Sequence, residues 1–197
     1  MSSNTPWVFC THNDHKLQEV SYILGQQVEF RSLRDIQWQA AIPEPYDTLE
    51  ENAATKAQTV ALQTGFPCFA EDTGLFVEAL QGQPGVYTAR FAGEEATAEQ
   101  NNAKLLNALQ GCEQRAAFFK TVIALVMKDC VHTFTGICHG RIATQLSGQK
   151  GFGYDPLFIP EGSELTFADM TAEAKQAISH RGKAFEQLKQ FLQQEFA

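Results

Sequence analysis

Five cysteines are scattered over the 197 residues, an odd number with no C-x-x-C pair among them. That spacing excludes a zinc knuckle or a dithiol redox motif, and Cys10, Cys68, Cys112, Cys130 and Cys138 read as reduced thiols of a cytoplasmic chain. Basic residues are scarce as well. Fifteen Lys and Arg against 23 Asp and Glu leave a net charge of −8, a field that repels polyanions and anionic lipid. No nucleic acid is expected as a partner, although a few converging lysines and a divalent cation can still reverse the potential within one small site. Long apolar runs are missing too: the most apolar stretch, Val122 to Met127, falls far short of the ~20 residues that cross a bilayer. The opening Met1-Ser2-Ser3-Asn4-Thr5-Pro6 has neither the basic nor the apolar region of a secretion signal, so no membrane partner is expected either. Also absent are internal repeats, low-complexity tracts, the P-loop, the G-x-G-x-x-G dinucleotide fingerprint and the G-x-S-x-G elbow.

What remains is enough for a core. With 44% apolar and 19% charged residues, and no linker long enough to part the chain, residues 1–197 read as one domain. Trp7-Val8-Phe9-Cys10 reads as a short buried strand, followed by a polar break and a helical pattern through Leu17, Val20, Ile23 and Leu24. Thr48 with Glu51, and Thr97 with Gln100, are capping-box pairs that predict helices over 49–63 and 98–109. Cys68-Phe69-Ala70 reads as a strand that stops at a turn formed by Glu71-Asp72-Thr73-Gly74. Residues 116–128 and 131–142, rich in β-branched and aromatic side chains, predict a long antiparallel hairpin. A glycine-rich loop over 148–156, a short apolar piece at 157–159 and a last helix capped by Ser179 complete an α/β fold with a mixed sheet.

Several of these breaks carry chemistry. Thr11, Asn13 and Lys16 stand where a strand gives way to a helix, and there they can form an anion site or simply cap the helix. Asn52 and Lys56 share a helix face by their i, i+4 spacing, which suits phosphate oxygens or a solvated surface. Glu71 and Asp72, joined by Glu44 from another loop, make an oxygen donor set suited to Mg²⁺, and one of them can serve as general base. Phe152 and Tyr154, flanked by Gly151 and Gly153 and followed by Asp155, can stack on a flat ligand or form a tight turn with buried rings. Ser179-His180-Arg181-Gly182, just after Lys175, adds a guanidinium fork suited to a purine carbonyl or a phosphate.

In order along the chain these segments resemble the inosine triphosphate pyrophosphatase family. The resemblance is carried by Thr11-His12-Asn13-Asp14-His15-Lys16, Glu44, Asn52-Ala53-x-x-Lys56, Ala70-Glu71-Asp72-Thr73-Gly74-Leu75, Pro84-Gly85-Val86-Tyr87-x-Ala89-Arg90-Phe91-x-Gly93, Gly151-Phe152-Gly153-Tyr154-Asp155-Pro156 and Ser179-His180-Arg181-Gly182. Each segment alone is a weak signal, whereas the ordered set is specific. The resemblance implies a long central mixed β-sheet flanked by helices, two lobes around a deep nucleotide-binding cleft, a homodimer, and Mg²⁺-dependent hydrolysis of ITP, dITP and XTP to monophosphate and pyrophosphate. It implies that Asp72 is the base activating water, and that Glu44 and Asp72, with Glu71 as a further candidate, hold the metal. It also implies that Thr11, Asn13, Lys16 and Lys56 are phosphate-side contacts and that Phe152 stacks on the purine, with Asp155, Lys175, His180 and Arg181 around the base and sugar. His12, Asp14, His15, Thr73, Gly153 and Tyr154 are implied to bind substrate as well. Many bacterial members read Asp-Asp-Ser-Gly where this chain has Glu71-Asp72-Thr73-Gly74.

Overall fold

In the computed structural model, residues 6–24, 28–128 and 130–195 are described. Seven strands hydrogen-bond in the order β2-β1-β3-β5-β6-β7, with β4 attached to β3. They are β1 (Trp7–Phe9), β2 (Phe30–Ser32), β3 (Cys68–Val77), β4 (Pro84–Gly85), β5 (Ala116–Met127), β6 (Cys130–Ile142) and β7 (Phe158–Pro160). The sheet is mixed, as expected: β1 runs parallel to β2 and β3, whereas β4 is antiparallel to β3 and β7 is antiparallel to β6. The helices are α1 (Asp14–Leu24), α2 (Leu49–Thr64), α3 (Ala98–Ala108), α4 (Ala172–Ile178) and α5 (His180–Glu195).

The chain divides into two compact units, residues 1–72, 121–135 and 184–197 forming one and residues 73–120 and 136–183 the other. The core of the first unit is an aromatic cluster in which Phe9 stacks on Phe69 at 4.8 Å, while Phe30 and Phe185 meet both rings edge-on. Val20, Ile23 and Leu24 of α1 and Phe185, Leu188 and Leu192 of α5 close around it, the apolar stripes that the helical spacing predicts. In the second unit Phe119, Phe158 and Phe167 sit at the centre of a cluster with Leu75, Leu105, Leu109 and Leu157.

Both predicted caps are formed. Thr48 accepts a hydrogen bond from the Glu51 amide, and Thr97 and Gln100 complete a reciprocal capping box. The predicted hairpin corresponds to β5 and β6, neighbours in the sheet; its connecting residue Asp129 lies outside the described residues. The last helix starts where expected: α5 begins after Ser179, whose hydroxyl accepts from the Gly182 amide at 3.0 Å. Just before it stands α4, capped by Thr171, and Gly182 allows close approach to the Gln176 carbonyl. One expectation is corrected. Glu71-Asp72-Thr73-Gly74 is not a turn: β3 runs straight through it for ten residues, because Lys16 and Lys56 neutralise the two acids where they stand and the backbone has no need to carry them into water. Gly74 permits this course, since a Cβ there would lie 2.7 Å from the carbonyl oxygen of Gly85 on β4.

Two expected outcomes follow from this packing. Phe69→Ala, at the centre of four rings, lowers unfolding free energy by about 3–5 kcal/mol in urea titration. In native labelling with a maleimide, exposed Cys130 reacts first and half-buried Cys112 more slowly, while Cys10, Cys68 and Cys138 react only after unfolding. Burial raises the Cys138 thiol to about 11, and hydrogen bonding to Cys68 together with burial pushes Cys10 well above the ordinary range.

Candidate functional site

In the first unit the residues between β1 and α1 cap the helix. Thr11 Oγ1 accepts from the Asn13 amide at 3.1 Å, and Asn13 Oδ1 accepts from the Lys16 amide at 3.1 Å. Both roles open in the sequence are compatible, because the cap orients the first turn and leaves the Lys16 side chain to act elsewhere. Its ammonium pairs with Glu71 Oε1 at 3.2 Å, and the Glu71 side chain is fully buried. Asp14 turns instead to Arg34, also at 3.2 Å, on the surface; His12 and His15 are exposed.

Lys56 lies deeper. Its ammonium donates to Glu44 Oε1 and, at 3.3 Å, to Asp72 Oδ1, so one cation serves two carboxylates from a loop and a strand. Burial works against the charge on Lys56, but the facing Asp72 and Glu44 carboxylates outweigh it and raise its pKa. Asp72 is also raised: burial disfavours its charged form and Glu44 adds repulsion, which the ammonium groups of Lys56 and Lys16 offset only in part. The result is a carboxylate more basic than an exposed aspartate. Asn52 does not join this group, since both atoms of its amide are taken by the backbone of Tyr46, at 3.0 and 2.9 Å. That clamp fixes the loop that carries Glu44.

The donor chemistry fits magnesium. Among the described residues no three His, Cys, Asp or Glu side chains gather as an all-protein cage. Mg²⁺ is usually held by one or two carboxylates plus phosphate oxygens and water, and Glu44 with Asp72 supplies that pair around a position already occupied by a cationic head. Glu71 is committed to Lys16.

In the second unit the glycine-rich loop is built around one buried carboxylate. Asp155 Oδ2 accepts from the Phe152 amide at 2.9 Å and from the Lys175 ammonium at 2.7 Å. At Gly151, with φ +74°, a Cβ would stand 2.0 Å from that same oxygen, so only glycine fits. Lys175 Nζ and Arg181 Cζ each lie 5.4 Å from the centre of the Phe152 ring. Arg181 is also within 3.5 Å of Thr73 Oγ1. His180 is buried in a stack on Phe119, with centroids 4.5 Å apart, and Tyr154 donates its hydroxyl to the Thr88 carbonyl at 3.0 Å. Thr73, Phe152, Gly153, Tyr154, Asp155, Lys175, His180 and Arg181 thus belong to one unit, as Thr11 through Lys16, Glu44, Lys56, Glu71 and Asp72 belong to the other.

Sequence reasoning passed over Asn101 and Asn102 of α3. Both are 5% exposed. Asn101 binds the Ala92 amide and the Ala89 carbonyl, and Asn102 donates to the Gly153 carbonyl at 3.0 Å. The signal was available: Asn101 shares a helical stripe with Leu105 and Leu109, and an amide on a core-facing stripe has to find partners.

A model of the Ham1 family matches residues 7–191. The chain is similar to a dITP/XTP pyrophosphatase of Christiangramia forsetii, 49% identical over 94% of this chain and 97% of that protein. It is likewise similar to a dITP/XTP pyrophosphatase of Porphyromonas gingivalis, 50% identical over 94% of this chain and 96% of the other. Its structure superposes on that of the Staphylococcus aureus Ham1 protein with a TM-score of 0.88 and 35% identity, covering 96% of this chain and 99% of that one. With the family model matching residues 7–191 and these relatives covered almost end to end, the chain belongs to the Ham1 family.

Proposed function

We propose that this chain is a Mg²⁺-dependent pyrophosphatase that hydrolyses the non-canonical purine nucleotides ITP, dITP and XTP to the monophosphate and pyrophosphate, and so keeps them out of DNA and RNA. The relatives named dITP/XTP pyrophosphatase support this reading. The observation that carries it is the buried group in which Lys56 is shared by Glu44 and Asp72. A protein that only bound nucleotides would have no use for a basic carboxylate there.

Glu44 and Asp72 would hold the ion. Bound there, Mg²⁺ would neutralise phosphate charge and lower the pKa of an attacking water. Asp72 takes the proton from the attacking water as the new phosphorus–oxygen bond forms. The anhydride bond between the α- and β-phosphates breaks, and its electron pair leaves on pyrophosphate. Lys56 and Lys16 offset the negative charge that accumulates on the leaving group, while Glu71 keeps Lys16 in place. Thr11 and Asn13 orient the first turn of α1, the helix end whose dipole favours an anion.

The second unit suits the purine. Phe152 offers a ring face, and Arg181 beside it presents donors that a 6-carbonyl can accept. Adenine places an amino group at the 6-position and leaves those donors unmatched. A homodimer and a cytoplasmic location complete the proposal, the first resting on the family resemblance and the second on the five unpaired thiols.

Pyrophosphate release with Mg²⁺ is expected to be strong from ITP, dITP and XTP and weak from ATP, GTP, CTP and UTP. Activity confined to a different nucleotide would overturn the substrate assignment. Asp72→Asn abolishes turnover while circular dichroism stays that of the parent protein; a fully active variant would remove Asp72 as the base. Phe152→Ala raises KM for ITP by about five- to 150-fold, from the ~1–3 kcal/mol of one base–aromatic stack.

A further inference from the structure

The side chain of Asn102 is divided between a satisfied donor and an unsatisfied acceptor. Its Nδ2 group donates to the Gly153 carbonyl at 3.0 Å, whereas its Oδ1 is buried and, among the described residues, has no hydrogen-bond donor. The neighbouring Asn101 differs, since both ends of its amide are bonded to backbone. A buried acceptor left without a donor costs stability, and a leucine would fill nearly the same space without that cost. The amide at position 102 is therefore maintained for its N–H and for the carbonyl that it holds.

That carbonyl belongs to the residue immediately after Phe152. Three successive peptide groups of the loop are fixed by named bonds. The Phe152 amide donates to Asp155 Oδ2, the Phe152 carbonyl accepts from the Asp155 amide at 3.2 Å, and the Gly153 carbonyl accepts from Asn102. Gly153 has φ +62°, a conformation in which glycine is free to turn unless its peptide is held. Asn102 supplies that hold from α3, whose start is fixed by the Thr97–Gln100 capping box. We propose that Asn102 is a positioning residue for the purine site: through the Gly153 carbonyl it sets the orientation in which Phe152 presents its ring, and so governs affinity for the base rather than for the phosphates.

The inference rests on Phe152 as the stacking residue, and the experiment separates the two. Asn102→Leu and Asn102→Asp both remove the donor. The leucine also removes the orphan oxygen, whereas the aspartate adds a charge facing a carbonyl. Both variants are expected to raise KM for ITP about five- to tenfold, the worth of one hydrogen bond, with a change in kcat of less than about twofold. Their Tm values diverge, the aspartate variant falling below the leucine variant, in which the loss of the Gly153 bond is offset by removal of the orphan oxygen. Should the aspartate variant not fold, the leucine variant carries the test alone. By calorimetry the leucine variant binds inosine monophosphate more weakly by the same factor, and binds pyrophosphate as the parent does. In a Phe152→Ala background Asn102→Leu leaves KM unchanged. A KM within twofold of the parent for Asn102→Leu, with Phe152→Ala still impaired, overturns the role of Asn102 and leaves the stacking assignment standing. Equal weakening toward inosine monophosphate and pyrophosphate also overturns it, because that marks a general structural effect. If Phe152→Ala itself leaves KM unchanged, both assignments fall.

Discussion

A charge taken out of water must be met by another charge, and this requirement shapes both parts of the chain. Lys16 meets Glu71, Lys56 meets Asp72 and Glu44, and Lys175 meets Asp155. The partners come from elements distant in sequence, so each pair can form only once a strand, a helix and a loop have taken their places. An ion pair of this kind adds little net stability, but losing one partner strands the other in a poor dielectric. The penalty for misplacing any of these elements is therefore high. The first unit concentrates negative charge around one lysine, and the second uses a single aspartate to bind a lysine and a backbone amide together. The first arrangement is suited to a polyphosphate and its ion, and the second to holding an aromatic ring still.

Within the first unit the numbers of charges matter as much as their positions. Four influences meet on Asp72: burial, the largest, and Glu44 raise its proton affinity, while Lys56 and Lys16 reduce it. The same two acids keep Lys56 charged against its own burial. Glu71, which with Thr73 departs from the Asp-Asp-Ser-Gly pattern, is one methylene longer than aspartate and ends on Lys16. The substitution thus alters how a lysine is held and leaves the pair of acids on Lys56 untouched.

Much of this could be read in the sequence, and the parts that could not share a cause. Helices announced by local rules were legible: Thr48 with Glu51 and Thr97 with Gln100 need only a few residues to be recognised, and the stripes of α1 and α5 repeat at a fixed period. The family was legible through the order of these segments along the chain, since no single segment would have sufficed. The turn expected at Glu71–Gly74 was wrong because the partners that neutralise the two acids lie on α1 and α2, and a window of ten residues cannot contain them. Strand β2 escaped notice because its three residues are Phe30, Arg31 and Ser32, whereas the equally short β1 showed itself as an unbroken apolar run. Asn52 was left between phosphate oxygens and a solvated face and is in neither place, since it clamps Tyr46, a partner in a loop that helical spacing does not show. Asn101 and Asn102 were missed for the converse reason, polar residues in a helix being assigned to its wet side by default.

The core around Phe9 also has a consequence for the order of events during synthesis. Phe9 and Val20 emerge early, yet the rings and aliphatic groups that enclose them include Ile123 and Leu125 of β5 and Ala184, Phe185, Leu188 and Leu192 of α5. A growing chain has therefore made nearly every residue before its first apolar strand gains its last neighbours. The buried hydrophobic residues of the other core lie between Leu75 and Met170, and Ile178 and His180 reach it from beyond that range. In the nascent chain the part synthesised first is the part that waits longest, and its exposed aromatic face is what a chaperone would meet.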